Sequence, residues 1–228
     1  MSKKLYLFDI EGTTTDINFV HKVLFPYASE NLSKFVLENQ NNPAVQKAIE
    51  DTRQTIITED GLTPSLEQSI EKLLFWIKSD RKHSALKELQ GLIWDEGYKK
   101  GDFKGHLYSD VKPFFDRIKK NGEEIGIYSS GSVLAQKLIF GYSVEGDLTG
   151  LISFYFDTKV GGKREAKSYE NIVEATKYKA SDIIFFSDIY EENLAAKAAG
   201  MKTYQLLRYP QPQREIETIP DFNGLDRL

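Results

Sequence analysis

Among the 228 residues there is no cysteine. Its absence excludes disulfides, thiolate metal sites and cysteine nucleophiles together. Charge of one sign is scarce too: 30 Lys and Arg stand against 34 Asp and Glu, a formal net charge of -4. That balance leaves no electrostatic footprint for nucleic acid and no polybasic patch for a membrane. Any anion site must therefore be local and made of a few residues. Long apolar runs are also missing. The opening MSKKLYLFD has no signal-peptide core, and no stretch approaches the roughly 20 apolar residues of a membrane span. Neither an internal repeat nor a low-complexity linker interrupts the chain. These absences point to a cytoplasmic globular protein, long enough for one buried domain or a core with a sizeable insertion.

What is present has the rhythm of an α/β protein. Short β-rich runs occur at Lys4–Ile10, Glu124–Ser129, Ile152–Phe156, Asp182–Ser187 and Met201–Leu207. Several are near-continuous in Ile, Phe, Tyr and Leu, as strands covered on both faces are. Helical patterns lie between the later runs: Leu134, Leu138 and Gly141, then Ala166, Tyr169, Val173 and Thr176, then an alanine-rich stretch stopping at Gly200. Alternation of this kind predicts a parallel sheet in a Rossmann-like three-layer core. From residue 19 to 101 no strand is legible. Leu66, Ile70, Leu73, Leu74 and Ile77 share one helical face, as do Leu86, Leu89 and Ile93 with Trp94 beside them. Pro43, Asp60-Gly61 and Thr63-Pro64 divide this segment into about four helices. The expected organisation is thus a core of 1–18 and 102–228 with a helical cap, 19–101, inserted after the first strand. Beyond Leu207 the stretch with Pro210, Pro212 and Pro220 reads as an irregular wrap.

Polar residues gather where the strands end. Asp9 closes the first, in LYLFDIEGTTTD. A carboxylate there can attack phosphorus or hold a metal, although position alone fits a loop-capping Asp equally well. Glu11 follows at two residues, and such a pair suits a nucleophile with an acid/base if a cation offsets the repulsion. Thr13, Thr14 and Thr15 should turn the chain and help line a phosphate pocket. Ser129 and Ser130 end the second run, in IYSSGS, before a helix starting near Ser132; hydroxyls, amides and a helix N-terminus make an anion cradle, while an ordinary serine cap is the plainer alternative. Lys159, Lys163 and Lys167 follow the third run. Position does not choose among them, though Gly161-Gly162 favours Lys163 by allowing close backbone approach. Asp188 ends the fourth run, and Glu192 lies one helical turn on; acids so placed suit Mg²⁺, and Glu192 alone could simply complement the helix dipole.

In a parallel sheet all four strand ends fall on one edge. An acid pair, a serine cradle, a lysine and a metal-binding acid together make a phosphoryl-transfer site.

With these residues in view, the chain resembles the haloacid dehalogenase-like phosphohydrolases. More narrowly it is similar to the enolase-phosphatase family of methionine salvage, whose opening motif D-I-E-G-T-T-T stands unchanged from Asp9 to Thr15. YSSGSVLAQKLIFG, FDTKVGGK, SDIYEEN and the insertion's DRKHSALKELQGLIW also resemble that family, so the likeness spans about Leu5 to Gly200. The resemblance implies that Asp9 forms an aspartyl-phosphate later hydrolysed by water. It implies one Mg²⁺ per subunit among Asp9, Glu11 (through its backbone carbonyl) and Asp188. Ser129 and Ser130 would hold the phosphate and Lys163 would neutralise it. The implied substrate is a small phosphate ester, 2,3-diketo-5-methylthiopentyl-1-phosphate, enolised and then dephosphorylated to the acireductone 1,2-dihydroxy-3-keto-5-methylthiopentene. A monomer is expected, with neither nucleic acid nor membrane as partner.

Most phosphatases of the wider superfamily carry Asp where this chain has Glu11, which leaves open whether Glu11 or a cap residue supplies the enolisation base. Two rivals stand beside this reading. A simpler Mg²⁺-dependent phosphatase of the same fold would release phosphate with no enol intermediate. A phospho-accepting receiver domain also has acids, a hydroxyl and a lysine at a sheet edge, but is about half this length and has no use for a large helical insertion.

Overall fold

The computed structural model describes residues 3–210 and 215–225. The five apolar runs become five strands, each one to three residues shorter than its run: β1 (Leu5–Phe8), β2 (Glu124–Tyr128), β3 (Phe154–Phe156), β4 (Ile183–Ser187) and β5 (Lys202–Leu206). A two-residue strand, β6 (Thr218–Ile219), completes a parallel sheet in the order β3-β2-β1-β4-β5-β6. The chain thus builds outward from β1 to β3, then returns to the other side of β1 for β4. That reversal opens a crevice at the carboxyl ends of β1 and β4, where open α/β sheets bind ligands.

Both faces of β1 are covered, which is why it reads as a continuous apolar run. Leu5 and Leu7 pack with Tyr169, Ile172, Ala195, Ala196 and Met201 on one side. Tyr6 and Phe8 face the other, where Phe8 stacks on Phe186 at 4.9 Å between ring centroids and meets Phe115 at 5.0 Å. Burying each such ring contributes roughly 1.5–3 kcal/mol. The covering helices are α6 (Val111–Lys120), α7 (Val133–Gly141), α8 (Ala166–Thr176) and α9 (Tyr190–Ala198). In α7 the inward residues are Ala135, Leu138 and Ile139, so Leu134 faces out at 40% exposure. Leu138 is buried as the sequence pattern has it, while Ala135 and Ile139 complete the inward face in place of Leu134 and Gly141.

The chain divides into two compact units, one made of the stretches up to Ile17 and from Lys104 on, the other Asn18–Phe103. The second is helical throughout. A short helix α1 (Ile17–Phe19) continues through a wide turn at Val20–Leu24 into α2 (Phe25–Glu38), followed by α3 (Pro43–Asp60), α4 (Leu66–Lys78) and α5 (Ser84–Lys100). Local signals set the boundaries. The Asn42 side chain accepts from the Ala44 N–H at 2.9 Å, Ser65 and Gln68 form a capping box, and α3 ends at Gly61 with φ +68°. Ile70, Leu73 and Ile77 are buried as their spacing predicts, and Trp76 is fully buried beside them. Leu66 and Leu74 flank the stripe and are only half-buried.

The tail departs from expectation. Instead of an irregular wrap, Thr218 and Ile219 pair with Gln205 and Leu206, and Phe222 inserts among the rings of Phe8, Phe114 and Phe186. A strand of two residues, followed at once by Pro220, is too short for any periodicity to reveal. Pro212 lies outside the described residues.

Candidate active site

The site starts where β1 stops. The Asp9 N–H still donates to the Phe186 carbonyl at 2.9 Å, so the ladder with β4 carries the residue to the sheet edge, where its side chain is buried. The chain then turns sharply. The Ile10 carbonyl accepts from the N–H groups of Thr13, Thr14 and Thr15 at 3.1, 2.9 and 2.9 Å, and Gly12 N–H donates to the Thr15 carbonyl at 2.8 Å. Gly12 sits at φ +77°, a conformation costly for any side-chain-bearing residue.

The threonine hydroxyls are engaged by the protein itself rather than held out toward a pocket. Thr13 Oγ1 accepts from the Asp188 N–H at 2.9 Å, Thr14 Oγ1 donates back to the Asp9 carbonyl at 3.1 Å, and Thr15 Oγ1 donates to the His106 carbonyl at 2.6 Å. These bonds fasten the loop behind the acids.

Of the three candidate lysines, Lys163 is buried while Lys159 and Lys167 are exposed. Its ammonium donates to Asp9 Oδ1 and bonds Glu192 at 2.7 Å. The Lys163 carbonyl is held by the Tyr169 hydroxyl at 2.7 Å. Burial alone would lower the Lys163 pKa, but the charges of Asp9 and Glu192 outweigh it and hold the group above its ordinary value. Gly161, at φ +129°, lets this turn close: a Cβ there would lie 2.2 Å from Ser168 Oγ.

Asp188 follows β4. Its carboxylate lies against Gly12, and its Oδ1 is buried with no hydrogen-bond partner among the described residues. Burial, then the Asp9 and Glu192 charges, push its pKa up to about 8. Glu192 is raised to about 7, by burial first and Asp9 second, against the pull of Lys163. Burial and Asp9 likewise raise Glu11. The Lys163 ammonium thus bonds Asp9 and Glu192, and its charge also reaches Glu11 and Asp188.

Among the described residues, no three His, Cys, Asp or Glu side chains converge tightly enough to hold an ion by themselves. The surplus of buried carboxylates and the orphaned Asp188 oxygen nonetheless fit a hard divalent cation, which takes oxygen donors and completes its shell with water and phosphate oxygens.

Ser129 directly follows β2, fully buried, its Oγ donating to Glu11 Oε2 at 3.3 Å and accepting from the Gly131 N–H at 3.0 Å. Ser130 is exposed at the same turn. Ser132 caps α7, accepting from the Ala135 N–H at 3.2 Å, so the helix N-terminus follows the serine pair directly. Asp9, Glu11, Ser129, Lys163 and Asp188 are therefore drawn into one cluster by direct contacts or shared neighbours, with Ser130 at its solvent side.

Glu192, which its one-turn spacing from Asp188 offers either as a second acid for Mg²⁺ or as a dipole-complementing one, is buried and also accepts from Ser187 Oγ at 2.8 Å. One further contributor is not legible as a site residue. Arg208 donates from Nε and Nη2 to the Thr13 carbonyl at 3.1 and 3.0 Å. Nothing near it in sequence marks it.

Comparison with known proteins agrees with this geometry. The family model of the haloacid dehalogenase-like hydrolases matches residues 3–200. Enolase-phosphatase E1 of Citrobacter koseri is 52% identical over 200 residues, covering 88% of this chain and 86% of that protein. Its counterpart from Stenotrophomonas maltophilia is 47% identical over 231 residues, covering 100% and 96%. Among solved structures, the UTR4 protein of Saccharomyces cerevisiae superposes with a TM-score of 0.81 at 32% identity, covering 98% of this chain and 100% of that one. The chain belongs to the haloacid dehalogenase-like hydrolases and, within them, to the enolase-phosphatase E1 family.

Proposed function

We propose that this protein is a bifunctional enolase-phosphatase of methionine salvage, converting 2,3-diketo-5-methylthiopentyl-1-phosphate through its enol to the acireductone and phosphate. The observation that carries the reading is the Lys163 ammonium bridging Asp9 and Glu192 within a surplus of carboxylates. Asp9 is the nucleophile: its Oδ attacks phosphorus, the P–O bond to the substrate C1 oxygen breaks, and water later cleaves the aspartyl-phosphate. Lys163 holds Asp9 in place, and neutralises the transferring phosphoryl group. Ser129 and Ser130, with the first turn of α7, hold the phosphate oxygens.

Glu11 has the raised pKa of a proton carrier. It is assigned the proton that leaves carbon on enolisation and the one that reaches the leaving oxygen. Mg²⁺, one per subunit, would be held by Asp9, the Glu11 backbone carbonyl and Asp188. When bound it polarises the diketone and offsets phosphate charge. Residues 19–101 are assigned the role of a cap that excludes water. The enzyme is taken to act as a cytoplasmic monomer.

The test is a two-signal assay on the diketone phosphate, following enol absorbance and phosphate release separately. A transient enol preceding phosphate supports the assignment. Phosphate without any enol would reduce the protein to a simple phosphatase of this fold. Asp9→Asn should release no phosphate while keeping the wild-type circular dichroism, and near-normal turnover in that variant would sink the mechanism.

A further inference from the structure

The tail beyond β5 reaches the nucleophile loop through Arg208. Arg208 is buried, at 7% side-chain exposure. Its Nε and Nη2 converge on the Thr13 carbonyl at 3.1 and 3.0 Å, and its Nη1 pairs with Asp110 Oδ2 at 2.9 Å. The guanidinium lies over the Tyr108 ring at 4.3 Å and the Phe222 ring at 5.0 Å. Asp110 Oδ2 is fixed in turn by the Phe222 N–H at 2.7 Å. All three donor nitrogens of the fork are therefore assigned, and both flanks carry an aromatic ring.

The carbonyl so gripped belongs to the residue whose hydroxyl accepts the Asp188 N–H at 2.9 Å. The Thr13 peptide also adjoins Gly12, against which the Asp188 carboxylate rests. One rigid planar cation thus sets the pose of the loop that spaces Asp188 from Asp9. A lysine could keep the Asp110 pair or one bond to Thr13, but a single ammonium cannot reproduce the fork.

We propose that Arg208 is a positioning residue: its guanidinium fork fixes the Thr13 peptide and so the spacing of Asp188 from Asp9. This rests on the roles of Asp9 and Asp188 given under the proposed function.

The experiment compares Arg208→Lys, Asp110→Asn and Asp9→Asn with the wild type, well below every melting temperature. The readouts are kcat, KM for the diketone phosphate, and the half-saturating Mg²⁺ concentration from the Mg²⁺-induced rise in Tm. Arg208→Lys should lose kcat by about 10²-fold, the scale of a 1 Å misplacement, with KM within about threefold and half-saturating Mg²⁺ raised about tenfold. Asp110→Asn removes the counter-charge but keeps an acceptor oxygen; it should lower Tm while kcat stays within about threefold of wild type. A wild-type kcat and Mg²⁺ response in Arg208→Lys overturns the inference, as does a kcat loss in Asp110→Asn equal to that in Arg208→Lys, which would mark a merely structural cluster. Should Arg208→Lys fail to fold, Arg208→Gln, neutral but planar, is read by the same criteria. Full turnover in Asp9→Asn would instead refute the underlying reading, whatever the arginine variants do.

Discussion

Gly12 and Asp188 are in contact so close that a Cβ on the glycine would lie 2.3 Å from Oδ2 and 2.6 Å from Cγ of the carboxylate. Residues far apart in the chain are thereby made one unit: the first loop has a hollow where a side chain would be, and the acid after β4 fills it. The left-handed backbone of Gly12 and the carboxylate occupying the space outside it are two separate reasons for glycine at one position.

Gly12→Ala should therefore be far more damaging than a one-carbon change suggests. The methyl must displace the Asp188 carboxylate, and the alanine must also hold φ +77°. A loss in kcat of about 10²-fold or more is expected, the cost of moving a catalytic group by about 1 Å. Steady-state kinetics beside a circular dichroism melt decide it. An alanine variant with native kcat would mean that the position of Asp188 against this loop is irrelevant to turnover.

Lys163→Ala should separate sharply from Lys159→Ala and Lys167→Ala. Lys163 is 8% exposed and is the ammonium bonded to both Asp9 and Glu192. Removing one partner of a buried pair costs about 3–5 kcal/mol, in addition to lost phosphate neutralisation. The other two lysines are exposed, and surface changes usually stay within about 0.5 kcal/mol. Urea denaturation and phosphate release on the three variants supply the comparison. Equal effects across the three would show that the burial of Lys163 has no bearing on function.

The contrast between these lysines shows what a sequence can and cannot convey. Strand ends were legible because buried parallel strands are unbroken apolar runs, and the polar residue that stops each run falls at the sheet edge. Lys163 stood out only through its neighbouring glycines, since burial leaves no mark on a lysine's own letter. Glu192 carried the spacing of a helical turn yet could as well have been a cap. Arg208 and His106 were invisible, because each meets the first loop across a long separation and bonds its backbone, Arg208 at the Thr13 carbonyl and His106 Nδ1 at the Asp16 N–H, which carries no side-chain signature. The threonines misled in a different way: hydroxyls beside an acid suggest a pocket lining, but here they satisfy buried amides and carbonyls. β6 was too short for any period to show.

Away from the site, Glu124 provides a pH test. Burial pushes its pKa up, but hydrogen bonds from Lys3, Ser153 and Lys119 outweigh this and hold it at about 2, below an ordinary value of 4.5. A carboxylate with a lowered folded-state pKa contributes stability that is present above about 4.5 and fades as pH falls toward about 2. Glu124→Gln should thus be less stable than wild type at pH 7, and the gap should close between pH 4.5 and 2. Urea midpoints measured across that range give the answer. A gap independent of pH would mean that the carboxylate's charge is not what the three donors stabilise.

The four acids around Lys163 make the sign of a metal effect predictable. Without a cation, Asp188 holds a buried Oδ1 with no hydrogen-bond partner among the described residues, amid like charges, and this works against the folded state. Mg²⁺ should therefore raise Tm, in proportion to RT ln(1 + [Mg²⁺]/Kd), about 2.7 kcal/mol at a hundred times Kd, and a chelator should reverse the rise and stop phosphate release. Asp188→Asn should invert the pattern. Above about pH 8, where the metal-free carboxyl is ionised, the amide removes a repulsive charge, so the variant melts higher than wild type in chelator, yet gains little from Mg²⁺ and turns over at least about 10²-fold more slowly. Differential scanning calorimetry with and without Mg²⁺ separates the two arms. If Asp188→Asn melts lower than wild type in chelator, the carboxylate is held by structure rather than strained against its neighbours, and the surplus of charge does not select for a cation.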